Sequence, residues 1–308
     1  MVTSEDRGRP RPAPLYSGLI NLHKPAGLSS RQAVDVVKRL VRPAKTGHAG
    51  TLDPLASGVL VVCVGAATRL IEYVQQMPKR YTGTFLLGRS SPTDDIEGEL
   101  ATLPDPPRPA LDEIVRAAAS VTGEILQRPP AYSALKVEGR RAYDLARKGH
   151  EVDLAPRRVC VYRLEVVRYE YPELVLAIEC GSGTYVRALG RDLAQMLGTA
   201  AVMSALVRTA IGTLQLADAC HPEQLTPDGL NQWLLPPARA VERLARVELT
   251  TAEVARLRQG MAIERTGGVP AGSELAAFAP NDELVAIVEM QAERKLRPTR
   301  VLSAGVPR

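Results

Sequence analysis

The run KTGHAGTLDPLASGVL, residues 45 to 60, decides how the rest of the chain is read. Polar side chains at His48, Thr51 and Asp53 are interleaved with Gly47, Gly50 and Gly58. Glycine permits backbone angles and close approaches that a side chain blocks, so three of them around a carboxylate describe a shaped loop that a large ligand can approach. Pro54 disfavours the α region for Asp53 and holds it extended or in a turn, where its carboxylate projects from a rigid frame. Three roles are open to that carboxylate. A general acid or base needs a pKa moved toward neutrality. A nucleophile stays ionised, which an arginine partner ensures. A turn former needs neither, and Asp-Pro is a frequent turn pair.

Downstream, the apolar stretch from Gly58 to Ala67 falls well short of the roughly 20 residues of a membrane helix. It reads as a buried strand over Val59 to Val64. Upstream, Tyr16 to Leu22 is a strand candidate and HKPAGLSS, residues 23 to 30, turns the chain. Ser29 or Ser30 can cap a helix whose apolar positions Ala33, Val36, Val37 and Leu40 keep helical spacing until Pro43 ends it. Further strands are expected at Tyr81 to Leu87, Val159 to Tyr169 and Glu173 to Cys180, the last with clean alternation of Leu174, Leu176, Ile178 and Cys180. Helices are expected from Leu111 to Thr122, after the turn GSGT with Val186, Leu189, Leu193 and Leu197, and from Thr251 to Arg258.

Strands and helices alternate irregularly, without a repeated βαβ unit or a nucleotide fingerprint. This pattern predicts an α+β fold on a mixed, largely antiparallel sheet flanked by helices. With 308 residues, 45% of them hydrophobic, two domains are the default. The expected division is a polar, proline-containing leader at 1 to 16, a main domain at 17 to 236, and a small, mostly β module from Pro237 to Arg308. The first ten residues carry no apolar block of a signal peptide, so a cytoplasmic location is expected. Cys63, Cys160, Cys180 and Cys220 are widely separated and lack metal-ligand spacing, so neither a metal site nor a disulfide scaffold is expected.

The net charge of +5 permits a nucleic-acid partner without demanding one. Its distribution is more informative. Basic residues gather at Lys38, Arg39, Arg42 and Lys45, at Lys79 and Arg80, and from Lys136 through Arg140, Arg141, Arg147 and Lys148.

The segment GHAGTLDPLASGVL resembles the signature of the bacterial tRNA pseudouridine-55 synthases, the TruB family. Other stretches fit that family in order: HKPAGLSS, KRYTGTFLLG at 79 to 88, PPAYSALKVEGRRAYDLARKG at 129 to 149, and GSGTYVRALGRDL at 181 to 193. Several motifs in sequence are harder to obtain by accident than one. The resemblance implies a pseudouridine synthase fold with a PUA-like C-terminal domain. It implies isomerisation of uridine at position 55 of the tRNA T-loop, a reaction that consumes no electrons or phosphate and requires no cofactor. The implied partner is tRNA, through its T-arm and through contact of the small module with the acceptor end, and the protein is expected to be a monomer.

Residue by residue, the resemblance makes Asp53 the essential carboxylate, which either attacks the ribose or assists formation of a sugar-derived intermediate. Arg187 would pair with it, since a guanidinium fixes a carboxylate and keeps it ionised. Tyr81 would stack on the flipped base and take part in proton handling. Tyr185, two positions before Arg187, would share a face with it on an extended strand. His48 would stack on RNA or assist flipping. Lys24 would order the active-site loop or touch phosphate, Leu206 would pack against the base, and Arg208 would be a phosphate contact or a structural partner. Lys136, Arg140 and Arg141 would offset the flipping cost through phosphate contacts. Two departures stand out. His23 replaces a frequent aspartate, and the loop after Gly88 reads SSPTDD, with Pro92 in place of a polar residue, so this loop is expected to be less ordered.

Overall fold

The computed structural model describes residues 16–130, 132, 136–137, 140–141, 154–265, 269–292 and 294–302 of the 308. The apolar run after Gly58 becomes a strand buried on both faces, which explains its continuous hydrophobicity. In chain order, the strands of the larger part are β1 (Gly18–Lys24), β2 (Thr46–His48), β3 (Ser57–Val64), β4 (Lys79–Leu87), β5 (Arg89–Ser90), β6 (Ala101–Thr102) and β7 (Gly123–Gln127). They continue with β8 (Lys136–Val137), β9 (Arg140–Arg141), β10 (Arg157–Glu170), β11 (Glu173–Cys180), β12 (Ala201–Ile211), β13 (Leu214–Gln215) and β14 (Leu234–Leu235). Ten of these form one sheet in the order β14-β1-β3-β12-β4-β11-β10-β7, with β2 beside β3 and β13 beside β12. All its neighbours are antiparallel except β3 and β12, so the sheet is mixed, as the irregular alternation predicts.

Alternate residues of β1 and β3 feed different cores. Ile20, Leu22, Leu60 and Val62 pack under Ala33, Val34 and Val37 of the helix Ser30–Leu40. Ser29 caps that helix in a capping box with Gln32, one of the two serines expected to do so. On the other face Leu19, Val59, Val61 and Cys63 meet Ala67, Leu70 and Val74. Farther along the sheet, the helices Leu111–Ser120 and Val186–Met196 bury Ile114, Leu189 and Leu193 against Phe85, Leu174 and Leu176. Gly190 makes this packing possible, because a Cβ there would lie 2.1 Å from the Phe85 ring.

The second sheet comprises β15 (Ala245–Glu248), β16 (Ile263–Glu264), β17 (Glu274–Phe278), β18 (Leu284–Met290) and β19 (Lys295–Val301), in the order β15-β17-β18-β19-β16. The helix Thr251–Arg258 packs on it, capped by Thr250 and Glu253. This is a small PUA-like β module. Ala276, Phe278, Leu284 and Ile287 join the core under β1 and β3, and Tyr73 Oη donates to Glu274 Oε1 at 2.9 Å. The large sheet ends at Leu235 and the small one begins at Ala245. No helix among the described residues is long and apolar enough to cross a membrane.

Candidate active site

The loop carrying Asp53 is held from below by the first motif. Ser30 Oγ donates to Leu52 O at 2.9 Å and accepts from Leu52 N at 2.8 Å, fixing the residue before Asp53 from both sides. Gly27 N donates to Pro54 O at 2.8 Å, and Ala56 N closes a turn onto Asp53 O at 3.1 Å. Gly58, the second residue of β3, is at φ +104, and a Cβ there would lie 2.2 Å from Arg208 O, so the close parallel contact of β3 with β12 requires glycine.

Lys24 is fully buried. Its ammonium donates to Pro25 O at 2.9 Å, to Leu28 O at 2.6 Å and to Pro54 O at 3.4 Å. Of the two roles expected for it, this geometry fits ordering of the active-site loop, because a phosphate has no surface on which to meet it. Burial brings Lys24 down to about 8, with Asp53 opposing the fall.

Asp53 projects from the loop with about a third of its side chain exposed, and its Oδ2 lies 3.0 Å from Arg187 Nη2. Arg187 itself is buried, at 7% exposure, and its charge is shared between two carboxylates. The second is Asp95, 3% exposed, whose Oδ2 lies 3.2 Å from Arg187 Nη1. Arg187 also donates to Thr93 O at 2.8 Å and Tyr132 O at 3.1 Å. A buried guanidinium is tolerated when its donors and charge are satisfied in this way. Asp95 is fixed in turn, accepting from Thr93 Oγ1 at 2.6 Å and Glu97 N at 3.1 Å. The SSPTDD loop, expected to be less ordered, is stitched to β12 by Met203 N on Asp94 O and Ile96 N on Met203 O.

Arg187 and Tyr185 do not sit on a strand. Tyr185 is the N-cap of the helix Val186–Met196 and Arg187 lies in its first turn. The helix begins there because buried Gln127 clamps the Tyr185 backbone, accepting from its N–H at 2.8 Å and donating to its carbonyl at 3.1 Å. Both side chains nevertheless line one cavity of about 370 Å³, a size within the roughly 300–1,000 Å³ range of ligand sites.

Asp53, Tyr81, Leu206 and Arg208 line it as well, together with Lys79, Arg157 and the turn Gly181 to Thr184. Tyr81 and Arg208 are cross-strand partners on β4 and β12. Burial pushes the Tyr81 phenol upward, and Arg208 opposes the shift. Arg208 is 2% exposed and donates to Val59 O at 2.7 Å, Gly50 O at 3.1 Å and Thr51 O at 3.4 Å. It is therefore a structural partner of the loop on one side and positive charge at the cavity on the other.

His48 is not among the lining residues. It lies half-buried on β2, and burial together with Arg208 lowers its pKa. Lys136 and Arg141 are paired across β8 and β9, as are Val137 and Arg140, but the side chains expected to contact phosphate lie outside the described residues.

The sequence reading missed Asp95 and Arg157, and it expected Lys79 only as part of a basic cluster that meets phosphate. Lys79 is buried beside Gln75 O, to which it donates, and burial lowers it to about 8. Arg157 donates to Gly183 O at 2.6 Å and lies over the Tyr185 ring at 4.9 Å. Lys79 was visible as one of a basic pair. Nothing local distinguishes Asp95 or Arg157 from surface charges. The wall is thus rich in cations, with one accessible carboxylate, an arrangement suited to a polyanion whose reacting centre meets Asp53.

The model of the TruB family pseudouridylate synthase N-terminal domain matches residues 38–186, and that of the tRNA pseudouridine synthase II C-terminal domain matches residues 244–303. The chain belongs to the TruB family of pseudouridylate synthases. It is 40% identical to the tRNA pseudouridine synthase B of Bradyrhizobium diazoefficiens, over 93% of this chain and 86% of that one. It is 41% identical to that of an Arthrobacter species, over 89% and 93%. Among solved structures it is similar to a Cbf5-Nop10-Gar1 complex, with a TM-score of 0.72, 26% identity, and coverage of 98% of this chain and 91% of that chain. An H/ACA RNP bound to a substrate RNA containing 2′-deoxyuridine matches with a TM-score of 0.71, 25% identity, and coverage of 93% and 85%.

Proposed function

We propose that this protein converts uridine to pseudouridine at position 55, in the T-loop of tRNA. The observation that carries the reading is the Asp53–Arg187 pair, 3.0 Å apart, at a cavity lined by Tyr81 and Leu206. The target nucleotide leaves its stack, at a cost of a few kcal/mol, and enters the cavity. Tyr81 and Leu206 offer the freed base the faces its neighbours supplied. Arg187, 3.0 Å away, holds and aims Asp53, and Asp53 acts at the ribose as the C1′–N1 bond breaks, by direct attack or by supporting the sugar-derived intermediate. The base turns, and C1′ bonds to C5, breaking any bond Asp53 has made to C1′ and regenerating the free carboxylate; the C5 proton leaves and N1 gains one. The reaction is a net isomerisation and needs no external electrons.

In this reading Tyr185, His48, Lys136, Arg140 and Arg141 serve the RNA, and Lys24 and Arg208 hold the loop. The small module adds contact toward the acceptor end, and the protein works as a cytoplasmic monomer. The test is mass-spectrometric mapping of pseudouridine in an unmodified tRNA transcript incubated with the purified protein. One modified position, in the T-loop, is expected. Modification elsewhere, or none, contradicts the assignment.

A further inference from the structure

Arg187 has a twin one helical turn away. Arg191, at i+4 on the same helix, pairs its Nη1 with Asp94 Oδ2 at 2.8 Å, as Arg187 pairs its Nη1 with Asp95. The parallel extends to a third segment: Arg187 Nη2 donates to Tyr132 O at 3.1 Å and Arg191 Nη2 to Arg128 O at 2.7 Å. Two arginines four residues apart thus bridge two consecutive aspartates to two carbonyls, also four residues apart.

The loop is bent for this purpose. Consecutive side chains of an extended strand point apart. Asp94 sits at φ 58, in the left-handed region that few residues other than glycine adopt, and so both carboxylates meet one helix. The Asp94 and Arg191 side chains are 13% and 20% exposed. Burial raises the Asp94 pKa and the two arginines oppose it. Asp192 completes the Arg191 shell, at 2.8 to 2.9 Å.

We propose that Arg191 and Asp94 are a positioning pair for the isomerisation proposed above, a second rung that fixes Arg187, and through it Asp53, against the 91–97 loop and the carbonyls of Arg128 and Tyr132. Neither residue lines the cavity, and neither is paired with Asp53. The loop backbone has its own anchors, Met203 and Ser91, which remain when the side chains are changed. Loss of the rung frees Arg187 to shift sideways, which affects the chemical step and leaves the RNA surface alone.

The test is a double-mutant cycle of Asp94→Asn, Arg191→Met and both together, reading the single-turnover rate of pseudouridine formation, tRNA affinity and melting temperature, with Arg191→Lys as the conservative variant. Each single change is expected to slow the reaction about tenfold or more with affinity within about twofold, as small misplacements of aligned groups do. The double variant is expected to be no slower than the worse single, because the two side chains act as one unit. Arg191→Lys, which retains the charge, is expected to recover part of the rate. Should Arg191→Met fail to fold, the near-isosteric Asp94→Asn with Arg191→Lys still decides the matter. Wild-type rates in the single variants, losses that multiply, or a fall in affinity or melting temperature at unchanged rate would each overturn the proposal. Wild-type protein inactive in the same assay would count against the proposed function itself, and so the two failures are told apart.

Discussion

Arg187 and Arg208 are both buried at one cavity, yet they are satisfied in different ways. Arg187, on a helix, meets two carboxylates at 3.0 and 3.2 Å, so its charge is spent on the protein's own anions. Arg208, on β12, gives its donors to the carbonyls of Gly50, Thr51 and Val59, and no carboxylate lies within ion-pair distance of it among the described residues. Its charge remains available to everything nearby. It works against the cationic forms of Lys24, Lys79 and His48 and opposes the upward shift of Tyr81. One arginine aims a carboxylate, and the other sets a positive field where a phosphodiester must approach.

Removing each guanidinium in turn separates the two roles. Arg187→Met leaves Asp53 and Asp95 without their shared cation. It is expected to cost about 3–5 kcal/mol of stability in urea titrations and to reduce activity about a thousandfold or more. Arg208→Met removes three bonds to neutral acceptors and leaves the carboxylates paired. Its expected cost is about 1–3 kcal/mol, with weaker tRNA binding and a smaller loss in the chemical step. Equal losses of single-turnover rate in the two variants would erase the distinction.

A smaller effect tests the field through Lys79, whose ordinary value of 10.5 is lowered by burial first and Arg208 second to about 8. Between about 8 and 10.5 the unfolded chain retains a proton that the folded chain has released, so stability rises with pH across that window, and the gain is absent below it. The stability of the wild type relative to Lys79→Met should therefore improve between pH 7.5 and 9.5, by on the order of 1 kcal/mol, in paired denaturation curves. A difference flat with pH would mean that the buried ammonium carries no penalty.

The same contrast explains what was legible in the sequence. Asp53 announced itself through local features, the glycines around it and the proline after it, and Ser29 through its place before an amphipathic helix. Buried strands β3 and β11 showed in their apolar runs. By contrast β12, the strand between β3 and β4 that presents Leu206 and Arg208, escaped notice. Its pairing with β4 shifts register between Met203 and Ala205 and again between Arg208 and Ala210, and such bulges break the period of two that marks a strand. The turn GSGT and the apolar spacing after it indicate the helix that carries Arg187, but its start at Tyr185, which takes the pair off the extended strand face expected for them, depends on Gln127, 58 residues away. Asp95 lies in an aperiodic polar loop and becomes meaningful only when folding sets it against Arg187. The sequence therefore exposed the reacting group. The groups that hold it depend on long-range pairing.

The carboxylate held by Arg187 is the centre of the proposed chemistry. Asp53→Asn changes charge with little change of shape, and its single-turnover formation of pseudouridine in a tRNA transcript, measured beside tRNA affinity, isolates that carboxylate from everything around it. The predicted result is a rate reduced to background with affinity within about threefold of wild type. Pseudouridine formation at the wild-type rate by this variant would contradict the assignment of Asp53.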